Sequence, residues 1–148
     1  MKALLQRVLE ARVEVGPDRV GAIGPGLLAL VCAEPGDRPE TSGRMLNKIL
    51  KLRIFADADG KMNRSLQDIG GGLLLVSQFT LAADCSGGNR PSFTGAAAPE
   101  LARVLYEDLL VQARALHPQV AAGVFGADMQ VHLVNDGPVT IPLSVPPP

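Results

Sequence analysis

A proline stands inside the most strand-like stretch of the chain. Between Val131 and Val145 the residues read as paired strands, yet Pro138, preceded by Gly137, has no backbone N–H to give to a ladder. Any fold this chain adopts must therefore break or bend its last apolar run at residue 138. Two readings meet that requirement. In one, Asn135-Asp136-Gly137 is turn chemistry, and a hairpin joins Val131-His132-Leu133-Val134 to Val139-Thr140-Ile141. In the other, the Gly-Pro unit is a backbone probe. It has two carbonyl oxygens, no side chain at the glycine and a stiff ring, which suits a site that measures shape.

The remaining pattern belongs to one domain. At 148 residues the chain suffices for a single core, and no stretch approaches the ~20 apolar residues of a membrane helix. Alternation from Ala3 to Val8 and at Val13-Glu14-Val15 predicts a first strand and a following hairpin, and Leu27 to Cys32 a central strand. Met45, Leu46, Ile49 and Leu50 recur at helical spacing and predict a helix from Pro39 or Glu40 to Leu52. Leu101, Val104, Leu105 and Leu109 predict a second from Pro99 to Leu116, opened by Pro99 and closed by His117-Pro118. Short strands are expected at Arg53-Ile54-Phe55, Leu73 to Phe79, Ala121 to Phe125, Gln130 to Val134 and Val139 to Val145, with Pro146-Pro147-Pro148 a frayed tail. This order argues for an α+β domain with a mainly antiparallel, barrel-like sheet and two main helices, rather than a doubly wound one.

Charge and cysteine content narrow the chemistry. A net charge of −1 argues against broad capture of a nucleic-acid backbone, so any such contact is expected to be small and local. Lys48, Lys51, Arg53, Lys61 and Arg64 cluster, as a solvated helix face and loop would. Cys32 and Cys85 have no Cys-x-x-Cys spacing, and neither His117 nor His132 has ligand-spaced partners, so free thiols, no metal and no cofactor are expected. The N-terminal segment lacks a secretory apolar core, which predicts a cytoplasmic protein without membrane attachment. There is no Gly-x-Ser-x-Gly elbow, Walker loop or His-Glu-x-x-His. Ser77 and Thr80, at the end of an apolar strand, are candidate nucleophiles without an evident base, and satisfying backbone groups at a strand end is an equally good role for them.

Ser77-Gln78-Phe79-Thr80-Leu81 and Asn135-Asp136-Gly137-Pro138-Val139-Thr140 resemble the two signature motifs of the D-aminoacyl-tRNA deacylase family, in the same order. Gln6-Arg7-Val8, Gly24-Pro25-Gly26, Gly60-Lys61-Met62-Asn63, Gly88 to Phe93 and Gly123 to Val131 also resemble family segments, so the likeness covers all but the proline tail. The resemblance implies hydrolysis of the ester joining a D-amino acid, or glycine, to the 3′-terminal adenosine of tRNA. It also implies a homodimer with active sites at the interface and a cis Gly137-Pro138 bond reaching into the partner's pocket. On the same basis Ser77, Gln78, Phe79 and Thr80 line the catalytic site, Phe125 and Met129 shape an adenine pocket, Arg7 braces the Gly-Pro loop, and the substrate's ribose 2′-OH assists hydrolysis. From the residues alone, Phe125 and Met129 read equally as core, Arg7 as a strand-edge arginine, and Thr80 as a nucleophile. Ala82 replaces an aromatic residue frequent in the family, and Cys85-Ser86-Gly87 replaces a basic loop, which implies weak phosphate contacts there. A sibling editing deacylase with relaxed chirality differs at Ser77, Phe79 and Asp136. A non-catalytic RNA-end-binding dimer is the alternative from another class.

Overall fold

A computed structural model describes residues 1–148 as one α+β unit. The strand β1 (Lys2–Val15) organises it. One edge of β1 pairs antiparallel with β3 (Gly26–Cys32) and then with β2 (Asp18–Ile23), while the other edge carries β8 (Gln130–Ser144), also antiparallel. Beyond β3 the sheet changes character: β6 (Gly72–Ser77) and then β7 (Val120–Ala122) join it in parallel. The full order is β2-β1-β3-β6-β7 with β8 on the free side of β1, and β2 packs back against β7 so that the sheet curls towards a barrel. The predicted antiparallel pairing thus holds for the β1 ladders but not for β6. Its leucine run is buried on both faces, as a parallel strand covered on each side must be.

Two helices cover the sheet. In α1 (Pro39–Lys51) the expected side, Met45, Leu46, Ile49 and Leu50, is at most 2 % exposed, and it packs with Leu105, Leu109 and Ala113 of α3 (Pro99–Leu116) over Leu5, Leu27, Leu73 and Leu75. Each such leucine contributes about 1.5–3 kcal/mol by leaving water. Both helices begin with proline in the first turn, where its missing N–H costs nothing. A small hairpin, β4 (Phe55–Ala56) with β5 (Met62–Arg64), and the one-turn helix α2 (Leu66–Ile69) link α1 to β6. Arg53 and Ile54 lie outside that hairpin, whose first strand starts two residues later than the apolar pattern places it. At the start of β1 the terminal ammonium of Met1 meets Glu34 and buried Asp37, each at 2.9 Å. His117 is buried, with Nε2 2.6 Å from the Gly71 carbonyl, which fastens the end of α3 to the turn before β6.

The hairpin expected at Asn135-Asp136-Gly137 does not form. β8 runs in one direction from Gln130 to Ser144, and Gln6 faces Thr140 while Val8 faces Asn135, so residues 136–139 all oppose the single residue Arg7. The Gly-Pro pair sits in a wide bulge. A bulge lets a strand carry a residue with no N–H to give, because the ladder is already interrupted there. The hairpin expected after Val15 does form: β1 turns through Gly16-Pro17 into antiparallel β2, and the exposed Leu9 and Glu10 lie at a second register shift on the β1–β8 ladder.

Candidate active site

The parallel strands β3 and β6 end side by side at Cys32 and Ser77, and the chain leaves the sheet there. Gln78 N–H still donates to the Val31 carbonyl at 2.8 Å, after which Phe79–Ala82 turn into a short 3-10 helix. The strand therefore stops at Ser77, not at Phe79. This departure opens a cavity of about 600 Å³ between the strand ends, the start of α3 and the 125–131 segment. Ser77, Gln78, Phe79, Phe125 and Met129 are all part of its lining. All of these are half-buried except Phe79, whose ring is 57 % exposed and meets the edge of Phe93 with centroids 5.1 Å apart. Phe125 is flanked by the Arg103 guanidinium, 4.8 Å from the ring centre.

Tyr106 sets the floor. Its phenol donates to the Leu75 carbonyl at 2.8 Å and lies 3.4 Å from that of Gly123, joining the ends of β6 and β7 beneath the pocket. Burial pushes its pKa up to about 12, so the phenol is a neutral donor at physiological pH. Cys32 also lines the pocket. Burial, reinforced by the Glu34 carboxylate, pushes its thiol up, the reverse of what a nucleophilic thiolate requires. No Asp, Glu, His, Lys or Arg side chain is part of the lining, which leaves hydroxyl, amide and backbone groups as the polar chemistry available to a ligand.

Thr80 lies outside this lining. It is exposed, and its hydroxyl accepts a hydrogen bond from Gln78 Nε2, so the two side chains orient each other with no acid or imidazole hydrogen-bonded to either. Neither Ser77 nor Thr80 has the adjacent base that activates a hydroxyl nucleophile.

Arg7, Gly137 and Pro138 are brought together, but not at this pocket. The guanidinium of Arg7, only 16 % exposed, donates from Nε to the Asp136 carbonyl at 3.1 Å and from Nη1 to the Ile54 carbonyl at 2.8 Å, with the Asp136 carboxylate 3.4 Å away. Asn135 clasps the bulge from its other end: Oδ1 accepts from Val139 N–H at 3.1 Å and Nδ2 donates to the Thr140 hydroxyl at 2.9 Å. Between these clamps Gly137 and Pro138 are exposed, joined by a cis peptide bond, and Gly137 has φ +128°, where L side chains are rarely found. The arrangement presents a braced piece of backbone to the outside of its own subunit.

Sequence reasoning had not singled out Phe93, Tyr106 or Asn135 as site residues. Phe93 and Asn135 lay within segments already noted, but their roles depend on contacts with Phe79 and the far side of the bulge. Tyr106, on the apolar side of α3, carried only the signal that a buried phenol needs a partner.

Fold and site together define a small α+β protein with an apolar pocket at the ends of two parallel strands and an exposed, braced Gly-Pro bulge. Residues 4–144 match the family model described as D-Tyr-tRNA(Tyr) deacylase. D-aminoacyl-tRNA deacylases of Paracidovorax citrulli and Variovorax paradoxus are 68 % and 69 % identical; the alignments cover 100 % and 98 % of this chain and 96 % and 99 % of theirs. A solved structure of a c-Myc DNA unwinding element binding protein is 43 % identical with a TM-score of 0.92, covering 99 % of both chains. A probable eukaryotic D-amino acid tRNA deacylase shares the fold at 17 % identity with a TM-score of 0.80, covering 97 % of this chain and 98 % of that one. The chain belongs to the D-Tyr-tRNA(Tyr) deacylase family of hydrolases.

Proposed function

We propose that this enzyme hydrolyses the ester between a D-amino acid, or glycine, and the 3′-terminal adenosine of tRNA, as a homodimer in which Gly137-Pro138 of each copy closes the other copy's pocket. The observation that carries the cross-subunit part is the separation of two rigid half-sites. Gly137-Pro138 is held from both sides yet exposed and absent from the lining of its own pocket, so a second copy supplies the surface it meets. The proposed assignment places Ser77, Gln78 and Phe79 beside the scissile ester, Phe125 and Met129 against the terminal adenosine, and Thr80 behind Gln78 as a positioning residue.

Chirality is then read by exclusion. The two enantiomers carry the same ester and ammonium but exchange the directions of hydrogen and side chain, so a fixed wall on one side overlaps one hand only. The carbonyls of Gly137 and Pro138 accept from the substrate ammonium, and their stiffness leaves no space for an L side chain. Glycine has nothing to exclude, so it passes.

Catalysis by the substrate suits a pocket lined by no acidic, basic or imidazole side chain. The ribose 2′-OH, vicinal to the ester, orients and polarises an attacking water. The C–O bond to the ribose 3′ oxygen breaks, that oxygen takes a proton, and the products are the free amino acid and tRNA. The Phe79 backbone N–H and the side-chain amide of Gln78 stabilise the oxyanion, and the protein's main contribution is position. Release of D-tyrosine and L-tyrosine from charged tRNA tests the activity: D-tyrosine release far above the uncatalysed rate, with L-tyrosyl-tRNA spared, is expected, and equal release of both hands removes the proposal. Replacing the terminal adenosine by its 2′-deoxy form tests the chemistry; unchanged hydrolysis would return Thr80 as the nucleophile.

A further inference from the structure

Charge is distributed unevenly over this nearly neutral chain. Between residues 40 and 64 there are six basic side chains and three acidic ones, whereas the rest of the chain carries eight basic and twelve acidic. Arg44, Lys48 and Lys51 project from the outer side of α1 at spacings of four and three residues, all exposed, along an open polar groove of about 790 Å³ whose other wall is Ser144 to Pro146. Arg44 hydrogen-bonds the Pro146 carbonyl, which ties the first residue of the exposed proline tail to this wall. None of these three cations has a carboxylate within 4 Å; Glu40, one turn before Arg44, is the acid of the groove.

The strip continues towards the Gly-Pro bulge. Arg53 follows α1 and is fastened by Nε donating to the Asn63 carbonyl at 3.1 Å, which sets it against β5, the hairpin strand that follows Lys61 and ends in Arg64. Asp57, an acid within this hairpin, is already occupied: its carboxylate accepts from the N–H groups of Asp59 and Lys61 and from Asn63, led by the Lys61 backbone, and these bonds hold its pKa below the usual range. The adjoining Ile54 carbonyl is bonded by Arg7, whose guanidinium also holds the Asp136 carbonyl next to Gly137. One arginine thus links the end of the basic strip to the bulge.

We infer that the basic strip Arg44-Lys48-Lys51, continued by Arg53 and Lys61, binds the phosphate backbone of the tRNA acceptor arm whose charged end lies in the pocket closed by the neighbouring Gly137-Pro138. The inference rests on the deacylase reading for the identity of the RNA. Arg44 to Lys51 spans about 10 Å along the helix, a length over which one strand of a nucleic-acid helix presents about three to four phosphates, so each of the three cations can meet one. It also supplies a phosphate-binding surface that the Cys85-Ser86-Gly87 loop lacks.

The test compares wild type with Lys48→Gln/Lys51→Gln on two substrates, D-tyrosyl-tRNA and 3′-O-(D-tyrosyl)adenosine, which shares the ester but has no phosphodiester. For the double variant KM towards tRNA is expected to rise about tenfold or more at 50 mM salt with kcat unchanged, and the salt dependence of log(kcat/KM) to become shallower by about 1.4–1.8. The adenosine ester is hydrolysed as by wild type, and Lys48→Arg/Lys51→Arg retains the wild-type KM. An unaltered KM and salt slope for tRNA, or an equal loss on both substrates, overturns the inference. If wild type fails to hydrolyse either substrate, the deacylase reading is what has failed. Filter retention of uncharged tRNA then decides the strip alone, with weaker binding by the double variant supporting it and equal binding overturning it.

Discussion

Gly137→Ala perturbs the bulge at the point where it has least room. At φ +128° an L residue is strained by about 1–3 kcal/mol, and the new Cβ would lie 2.9 Å from Val139 Cγ2 and 3.0 Å from Arg7 Nη2. Neither neighbour yields freely. Val139 is held through its N–H by Asn135, and Arg7 moves only by weakening its bonds to the Asp136 and Ile54 carbonyls. Strain and crowding together predict a loss of about 2–3 kcal/mol, part of it relieved by displacing the exposed Gly-Pro unit. For a domain of this size that is a fall in melting temperature of roughly 5–10 °C. A displaced wall no longer excludes L side chains, so L-tyrosine release rises relative to D-tyrosine by about tenfold or more. Gly60→Ala is the comparison: its φ is +77° but nothing lies within 4 Å of the new Cβ, so it adds backbone strain at an open turn without touching the bulge. Thermal unfolding and release of tyrosine from D- and L-tyrosyl-tRNA read both effects. If Gly137→Ala melts with wild type and keeps its D/L ratio, or if Gly60→Ala alters that ratio equally, the reasoning from a braced bulge is wrong.

Three further substitutions test the same framework. Arg7→Met keeps the side-chain stem but removes the donors to two carbonyls; a stability loss of about 2–3 kcal/mol by urea unfolding and a lowered D/L ratio are expected. Tyr106→Phe removes the donor to Leu75 and should cost about 1–2 kcal/mol. Because the folded pKa of Tyr106 is raised to about 12, its neutral form contributes stability that is complete below pH 10 and lost between about 10 and 12; the phenylalanine variant lacks that alkaline decline in unfolding measurements. Thr80→Val removes the hydroxyl that accepts from Gln78, and a positioning role predicts a fall in the rate of D-tyrosine release of less than about tenfold, whereas a nucleophile predicts a loss of about 10³ or more.

What the sequence made legible followed local chemistry. Pro99 and His117-Pro118 bracket α3 because their effects on helix ends need no distant partner, and the apolar side of α1 matches its burial for the same reason. The parallel entry of β6 was not legible, since an apolar run says that a strand is buried but not which way its neighbour points. A hairpin competes with the bulge in the sequence because Asn135-Asp136-Gly137 satisfies turn chemistry on its own. What prevents the turn is β1, which lies along both halves of β8, and the brace comes from Arg7, 129 residues away from Asp136. The separation of Thr80 from the pocket lining likewise depends on the 3-10 turn after Gln78, which the strand-like run into Phe79 concealed.

The central claim, that each pocket is completed by Gly137-Pro138 of a second copy, is tested most directly by sedimentation velocity run alongside D- and L-tyrosyl-tRNA hydrolysis over a dilution series. The account predicts a dimer at working concentrations, and a specific activity and D/L ratio that fall together as the dimer dissociates. A monomer that retains full activity and full discrimination would contradict it.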